Sequence, residues 1–304
     1  MNKKAIIAGI IAAISWGTVF VFGQIAVQAG YHPVVIAFIR FASASLFLGL
    51  YQFLTKKKFP LDICDIYQFL ILGATGIFGM NVFIFYSLKL TDSTIASLLM
   101  NANGFIIAIL GFLLLREKIN VFEITGLIIG FIGCYLIFTG GNIRNISSSQ
   151  ISGNTLAALA SFCWAFYSVW GKKTKLIEKY TPVLSTLWAS VSGSLMLGLL
   201  IIFAGIPFKV DAKCILIGCY LGIIPAGIGF TLWFYSISKL KTIIPGIIQF
   251  LAPLTTAILA VFWLKQVIGF PIILGGGLII AGVLFSLKTD RRKSEKKTMV
   301  WRRK

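Results

Sequence analysis

Acidic residues are scarce in this chain: nine Asp and Glu stand against 28 Lys and Arg, with one histidine, His32, in 304 residues. That scarcity excludes whole classes of chemistry. No carboxylate lies deep in an apolar run, so paired-carboxylate acid–base work has no carriers there. One histidine cannot supply an HExxH zinc motif, and no G-x-S-x-G nucleophile elbow occurs. The five cysteines, Cys64, Cys134, Cys163, Cys214 and Cys219, show no metal-ligand spacing, and an odd, unpatterned set gives no disulfide framework. No cofactor and no metal are expected. Charged residues are 12% of the chain, about half the share of a soluble domain.

What fills the sequence instead is apolar: 58% of residues, spread along the chain in runs of about 20, each long enough to cross a hydrocarbon core. The reading is an all-α integral membrane protein with the lipid bilayer as its main partner. Ten spans are expected, at 5–27, 34–54, 66–88, 94–115, 121–140, 153–171, 182–204, 214–237, 243–263 and 268–287. The first run is too long for a signal-peptide core and recurs down the chain, so it is read as a span. The net charge of +19 would suggest nucleic acid in a soluble protein. Here the basic residues cluster between spans, so nucleic acid is not expected as a partner. With the N-terminus inside, 22 of the 28 Lys and Arg fall on the inner side, five fall outside, and Arg40 is left within a span. Short loops rich in Lys and Arg stay cytoplasmic, so both termini are read as cytoplasmic, in the cell membrane. The tail 289–304 is hydrophilic and basic and is expected to be an irregular, lipid-attracted end.

The second half echoes the first. Ile14-Ser15-Trp16-Gly17 aligns with Phe162-Cys163-Trp164-Ala165 at a shift of 148. Phe85-Tyr86-Ser87 aligns with Phe234-Tyr235-Ser236 at 149, as do Gly126 and Gly133 with Gly275 and Gly282. The units are read as 1–141 and 152–288, five helices each. Five is odd, so the second unit starts on the opposite side from the first. The copies are then two inverted repeats, related by a pseudo-two-fold axis in the membrane plane, which is a common plan for secondary transporters.

Several pieces in this order make the chain resemble the EamA family of the drug/metabolite transporter superfamily. They are Ser15–Gly17, the arginine of VVIAFIRF at Arg40, LLLREKI at 113–119 with GLIIGFIG at 126–133, and APL at 252–254 with GGLIIAGV at 276–283. The resemblance covers about 5–287. It implies a basket-like bundle, a substrate cavity between the repeats near mid-membrane, alternating access, and a peripheral fifth helix in each unit. The sequence departs from the family pattern at Asn103, where a proline is common, and at Lys265-Gln266, where an acid usually follows the helix. The first repeat keeps that acid as Glu117.

Candidate site residues follow from cost. A charge inside the membrane is expensive, so Arg40 is either a counter-charge for a carboxylate or phosphate, or a structural arginine holding helix ends. Trp16, Phe20 and Gln24 share one face of the first helix, and Ser161, Trp164 and Ser168 share one face of the sixth. A mid-membrane indole needs a partner for its N–H, which favours an internal cavity for Trp16 and Trp164 over plain core packing. Trp233 ends a stripe of small residues. The amides Asn81, Asn101, Asn103 and Gln249 lie within spans, and Thr94, Ser97 and Asn101 share a face. Tyr86 and Tyr235 close the third and eighth helices near opposite surfaces. Gln249 precedes Pro253 by four residues, a spacing that frees a backbone carbonyl. Glu117, beside Arg116 and Lys118, reads as a surface ion pair. Gly73, Gly76 and Gly79, with Gly218, Gly222 and Pro225, mark bends.

These readings converge on a secondary transporter of a small metabolite, such as an amino acid or similar neutral or zwitterionic solute. The substrate-binding candidates are Trp16, Phe20, Gln24, Arg40, Asn81, Tyr86, Asn101, Trp164, Ser168, Trp233, Tyr235 and Gln249. With no intramembrane acid or histidine as relay, facilitation, exchange, or coupling through the solute's charge is favoured over proton coupling. The alternative is an exporter of drugs, organic cations or nucleoside-like metabolites. An intramembrane enzyme lacks its motifs, and a channel lacks pore rings.

Overall fold

A backbone surrounded by hydrocarbon has no water to bond, so each apolar run is forced into helix. The computed structural model describes residues 2–90, 93–139, 151–264 and 269–302; the side chains at 88, 89, 93–95, 97, 260, 261, 263, 264 and 288–302 are outside that description. The expectations for Thr94, Ser97 and Lys265-Gln266 therefore fall outside the described residues. Among the described residues there is no strand. The helices are α1 (Lys3–Gln28), α2 (Pro33–Leu54), α3 (Ile63–Leu72, a wide turn Gly73–Gly79, then Met80–Leu90), α4 (Ser93–Asn101 and Asn103–Leu115) and α5 (Val121–Thr139). They continue as α6 (Ile151–Lys173), α7 (Thr181–Phe203), α8 (Ala212–Leu221, a wide turn Gly222–Gly229, then Phe230–Lys239), α9 (Ile243–Ile248 and Leu251–Leu264) and α10 (Phe270–Arg302).

Among the described residues, eight helices are long and apolar enough to cross a membrane, with Ile243–Leu259 as a shorter apolar helix. The expected sixth and ninth spans are the ones that differ, and each has a reason. α6 has the length, 23 residues, but carries Ser152, Asn154, Thr155, Ser161 and Ser168. It tolerates Ser161 and Ser168 because both are buried in protein, whereas Ser152 and Thr155 stand exposed in its first turns. α9 is broken at Gln249 and Phe250. The carbonyl of Gln249 is not left free as the proline spacing suggested, because the Ala252 N–H takes it at 2.9 Å. At the C-terminus, α10 runs on to Arg302 rather than becoming irregular. No Gly or Pro stands between Val283 and Lys304 to stop it.

Two pairs of contacts fix the bundle. The first is a close crossing of α5 and α10. A Cβ on Gly126 would lie 2.6 Å from the Gly282 carbonyl oxygen, and one on Gly133 would lie 2.5 Å from that of Gly275. The reciprocal approaches, from Gly275 and Gly282, are both 2.6 Å. Only glycine permits this. The opposite faces of both helices, including Ile128, Ile132, Ile273 and Ile280, stay exposed, as lipid-facing positions should. The second pair sets the wide turns of α3 and α8, which are π-helical. Gly222 packs on Arg40 and Ser43 of α2, and Gly73 packs on Ala189 and Ser192 of α7. Ser43 Oγ donates to the carbonyls of Arg40 (3.0 Å) and Gly218 (3.3 Å). Ser192 Oγ donates to those of Ala189 (3.0 Å) and Phe69 (2.8 Å). Ala189 and Ser192 stand 149 residues after Arg40 and Ser43, while Gly73 and Phe69 stand 149 residues before Gly222 and Gly218, so the two halves of the chain exchange roles.

Gly282→Ala should lower stability by about 1–3 kcal/mol, because the methyl group meets backbone that cannot yield. Gly277→Ala, on the same helix but facing open space, should be neutral or slightly stabilising. Thermal unfolding of the purified variants measures both; equal losses would show that the crossing does not matter.

Candidate functional site

The wide turn of α8 has a chemical consequence. Pro225, inside it, has no N–H, and the turn leaves its carbonyl within reach of a neighbour. The Trp16 indole N–H of α1 donates to that oxygen at 3.0 Å. Trp16 then sits edge-on to Trp164 of α6 at 5.1 Å between ring centroids and tilted against Trp233 of α8 at 5.2 Å. Trp164 and Trp233 are 5.7 Å apart, and Phe230 touches both Trp16 (5.8 Å) and Trp164 (5.2 Å). Tyr167 stacks on Trp164 at 5.4 Å, its ring resting where Gly76 leaves the wide turn of α3 bare. Edge-to-face and offset pairs of this kind add about 0.5–1.5 kcal/mol each beyond burial.

Each indole N–H in the cluster is satisfied by the protein. Trp233 donates to Ser168 Oγ at 3.1 Å, and Trp164 donates to Gln249 Oε1 at 3.1 Å. Gln249, at the break in α9, turns its amide nitrogen to Asn103 Oδ1 and to the Gly246 carbonyl at 3.1 Å. Asn103 opens the second half of α4, at that helix's own break. The two broken helices are thus joined by one amide pair that also holds a tryptophan. A solute arriving here meets ring faces and edges, not free indole N–H groups.

The expected residues divide by location. Trp16, Trp164, Ser168, Trp233 and Gln249 come together in one cluster. Arg40 lies beside it through Phe230. Phe20 and Gln24 continue up the α1 face from Trp16 and are exposed. Asn81 is buried just past the wide turn of α3, bonded to the Ile77 carbonyl at 2.6 Å. Asn101 is buried at the break in α4. Tyr86 is exposed at the end of α3. Tyr235 packs on a separate core with Ile243 and Ile247 and is not brought to the tryptophans. Phe230 and Tyr167 are not singled out from the sequence, and Asn103, noted among the span amides, is not among the substrate-binding candidates. Asn103 was detectable, since it stands where a proline is common and hence where a break is expected.

The end of the bundle where α1 begins, here the near end, is tied by ions. Arg116 ends α4 in the left-handed region, φ 55°, and the chain then presents Glu117. Glu117 does not pair with its sequence neighbours. Its carboxylate accepts from Lys172 Nζ at 2.7 Å, from the Thr242 N–H at 2.7 Å and from Thr242 Oγ1 at 2.8 Å. Lys172 also donates to the Leu240 carbonyl at 2.5 Å. Alongside, Glu123 forms a capping box with Asn120 and binds Lys241 at 2.8 Å. Asp65 accepts from Lys179 at 2.6 Å and Tyr180 at 2.5 Å, and Lys179 also binds Asp62. Those carboxylates hold the Lys179 ammonium above its ordinary range.

At the far end, Tyr31 donates to Asp211 at 2.6 Å, and Asp211 caps α8 through the Cys214 N–H at 2.8 Å. The hydrogen bond to Asp211 raises the Tyr31 hydroxyl to about 12, and the same bond, with the Cys214 N–H, holds Asp211 below its ordinary value. The tie therefore persists at ordinary pH. It is lost only as pH falls through the lowered Asp211 value or climbs past about 12 at Tyr31.

The model of the EamA-like transporter family matches this chain twice, over residues 3–139 and 151–288. A protein of Archaeoglobus fulgidus named "Uncharacterized transporter" is 27% identical over 285 residues, 93% of this chain and 97% of its own. The "Probable terminal-alkyne amino-acid exporter" of Streptantibioticus cattleyicolor is 26% identical over 304 residues, 97% of this chain and 98% of its own. One solved structure, 17% identical, superposes with a TM-score of 0.82, covering 96% of this chain and all of that one, so the fold is shared.

Gln249→Leu should cost about 1–3 kcal/mol by leaving the Trp164 N–H and Asn103 amide buried and unpaired. In that background Trp164→Phe should cost less than it does alone, a coupling of about 1 kcal/mol in thermal unfolding. Strictly additive losses would contradict the bond.

Proposed function

The chain belongs to the EamA-like transporter family, and from that premise we propose that this multi-pass membrane transporter moves a small amphipathic metabolite, an amino acid or similar solute, by alternating access. In this reading it has ten spans in two inverted five-helix repeats, 1–141 and 152–288, with both termini in the cytoplasm. The lysine and arginine asymmetry supports that orientation. The reciprocal contacts support the inversion. A two-fold axis makes residue i meet j′ wherever j meets i′, as Gly126 with Gly282 and Gly133 with Gly275 do. Tyr31 with Asp211 and Tyr180 with Asp62 repeat the same relation at opposite ends, each tyrosine hydroxyl bonding the residue that precedes the partner unit's third helix.

The observation that carries alternating access is an inequality between counterparts. Phe20 on α1 is 44% exposed, while its counterpart Ser168 on α6 is 0% exposed. Gly23 faces open space, while Gly171 is packed by Phe234 and Ile177. Gln24 is exposed, while Lys172 is held by Glu117. Equivalent helix faces are open towards the far end and shut at the near end. Exchanging the two conformations between the repeats would produce the opposite state. The site then lies at the Trp16–Trp164–Trp233 cluster, below the open half of α1. Its rings and amides, with no carboxylate among them, favour a neutral or zwitterionic solute over an organic cation. The name of the Streptantibioticus cattleyicolor relative, "Probable terminal-alkyne amino-acid exporter", points to the same class.

In proteoliposomes loaded with unlabelled leucine and phenylalanine, labelled amino acid should enter saturably, with stimulation by the internal pool. Flux linear in concentration without such stimulation, or single-channel currents, would contradict a carrier. In a cysteine-free background, Lys172→Met should raise the rate at which Ser168→Cys reacts with an impermeant thiol reagent from the near end. An unchanged rate would mean that the ion pair does not hold that end shut.

A further inference from the structure

Arg40 is a charge without a partner. It is 7% exposed, its Nε has no hydrogen-bond partner, and among the described residues no ion pair or hydrogen bond reaches its guanidinium. Its contacts are to rings: the guanidinium carbon lies 4.9 Å from the centroid of Phe41 and 5.9 Å from that of Phe230. The four ion pairs among the described residues all lie at helix ends of the near side. A buried cation left unpaired costs several kcal/mol, so its retention calls for a reason.

Packing is not that reason. The crossing of α2 with the wide turn of α8, at Arg40, Ser43 and Gly222, recurs as the crossing of α7 with the wide turn of α3, at Ala189, Ser192 and Gly73. The serine bonds to the i−3 carbonyl and across to the neighbouring helix recur in both crossings, with Ser43 adding one to the Ile39 carbonyl. The counterpart of Arg40 in this second crossing is alanine, and the crossing forms without a charge. What Arg40 adds is chemistry at one place only, next to Phe230, which is itself in contact with Trp16 and Trp164.

We propose that Arg40 binds the carboxylate of the transported solute, so that the cargo class is a monocarboxylate with an apolar body, amino acids included. Cation–π contact with the rings uses none of the guanidinium's N–H donors, so its fork is left to hold a carboxylate by two parallel bonds. Charge balance selects the anion. One guanidinium neutralises one carboxylate, whereas a phosphate dianion would leave a negative charge with no second cation at the cluster among the described residues. The apolar body of the solute then lies along Phe230 and the tryptophans. The inference rests on the transporter reading above and names its substrate class.

The test uses the purified full chain and three matched probes at neutral pH: 3-phenylpropionate, its amide, and phenyl phosphate, titrated by thermal stabilisation. Wild type should bind the acid at least about tenfold more tightly than the amide, as a charge-assisted bond requires, and more tightly than the phosphate. In Arg40→Gln the preference for the acid should vanish, and Arg40→Lys should restore part of it. Equal binding of acid and amide to wild type, no binding of the acid, or a preference that survives Arg40→Gln would overturn the assignment. Tighter binding of the phosphate would overturn the charge-balance argument. If Arg40→Gln does not fold, the ratio of acid to amide in wild type decides. Counterflow of the amide without any preference for the acid would remove this inference and leave the carrier standing. Absence of counterflow by any probe in folded protein would remove the carrier reading itself.

Discussion

The structure depends on two backbone crossings made by glycine. Gly222 lies against Arg40 and Ser43, and Gly73 lies against Ala189 and Ser192, closer than any side chain would allow. The serine hydroxyls stitch each crossing across two helices. Fixed there, α3 and α8 widen into π-helical turns. One turn offers the Pro225 carbonyl to Trp16, and the other offers the bare surface of Gly76 to Tyr167. The aromatic cluster is a consequence of how those two helices are held.

Around the cluster the indole and amide groups are committed, while the buried Tyr167 hydroxyl has no partner among the described residues. Indole N–H groups go to a carbonyl, a hydroxyl and an amide, and the amide pair of Gln249 and Asn103 ties two broken helices together. The near end is closed by half-buried ion pairs whose members come from both halves of the chain, Glu117 with Lys172 and Glu123 with Lys241. Such pairs are modest contributors to stability, but their geometry is two-state: made or broken. That suits the end of the bundle that opens in the proposed cycle. At the far end, the matching tyrosine–aspartate bond stands without a lysine, because the counterpart of Lys179 is Gly30.

Much of this was legible from the residues alone. Membrane insertion followed from runs of apolar residues, because lipid leaves the backbone no alternative to helix. Trp16 and Trp164 were found by repetition, and they do meet. Of the positions expected to bend α3 and α8, Gly73, Gly76, Gly79, Gly222 and Pro225 fall in the wide turns, while Gly218 lies in the regular helix just before one. Other features depend on contacts between distant segments. Nothing in LLLREKI tells that Glu117 leaves its neighbours for Lys172, 55 residues on. Tyr235 matched Tyr86 by repeat, yet it packs into a different core. The Gln249 carbonyl, freed in principle by Pro253, is claimed locally by Ala252. Phe230 carried no signal, being one of 26 phenylalanines.

The central claim is that the two ends of the bundle open alternately about a site held by the tryptophans. Spin labels at Lys118 and Lys175 report the near end, and labels at Val27 and Phe208, all exposed positions, report the far end. Pulsed dipolar distances with and without transported solute should change in opposite senses at the two ends. Distances that move together, or that do not respond to solute at either end, would contradict it.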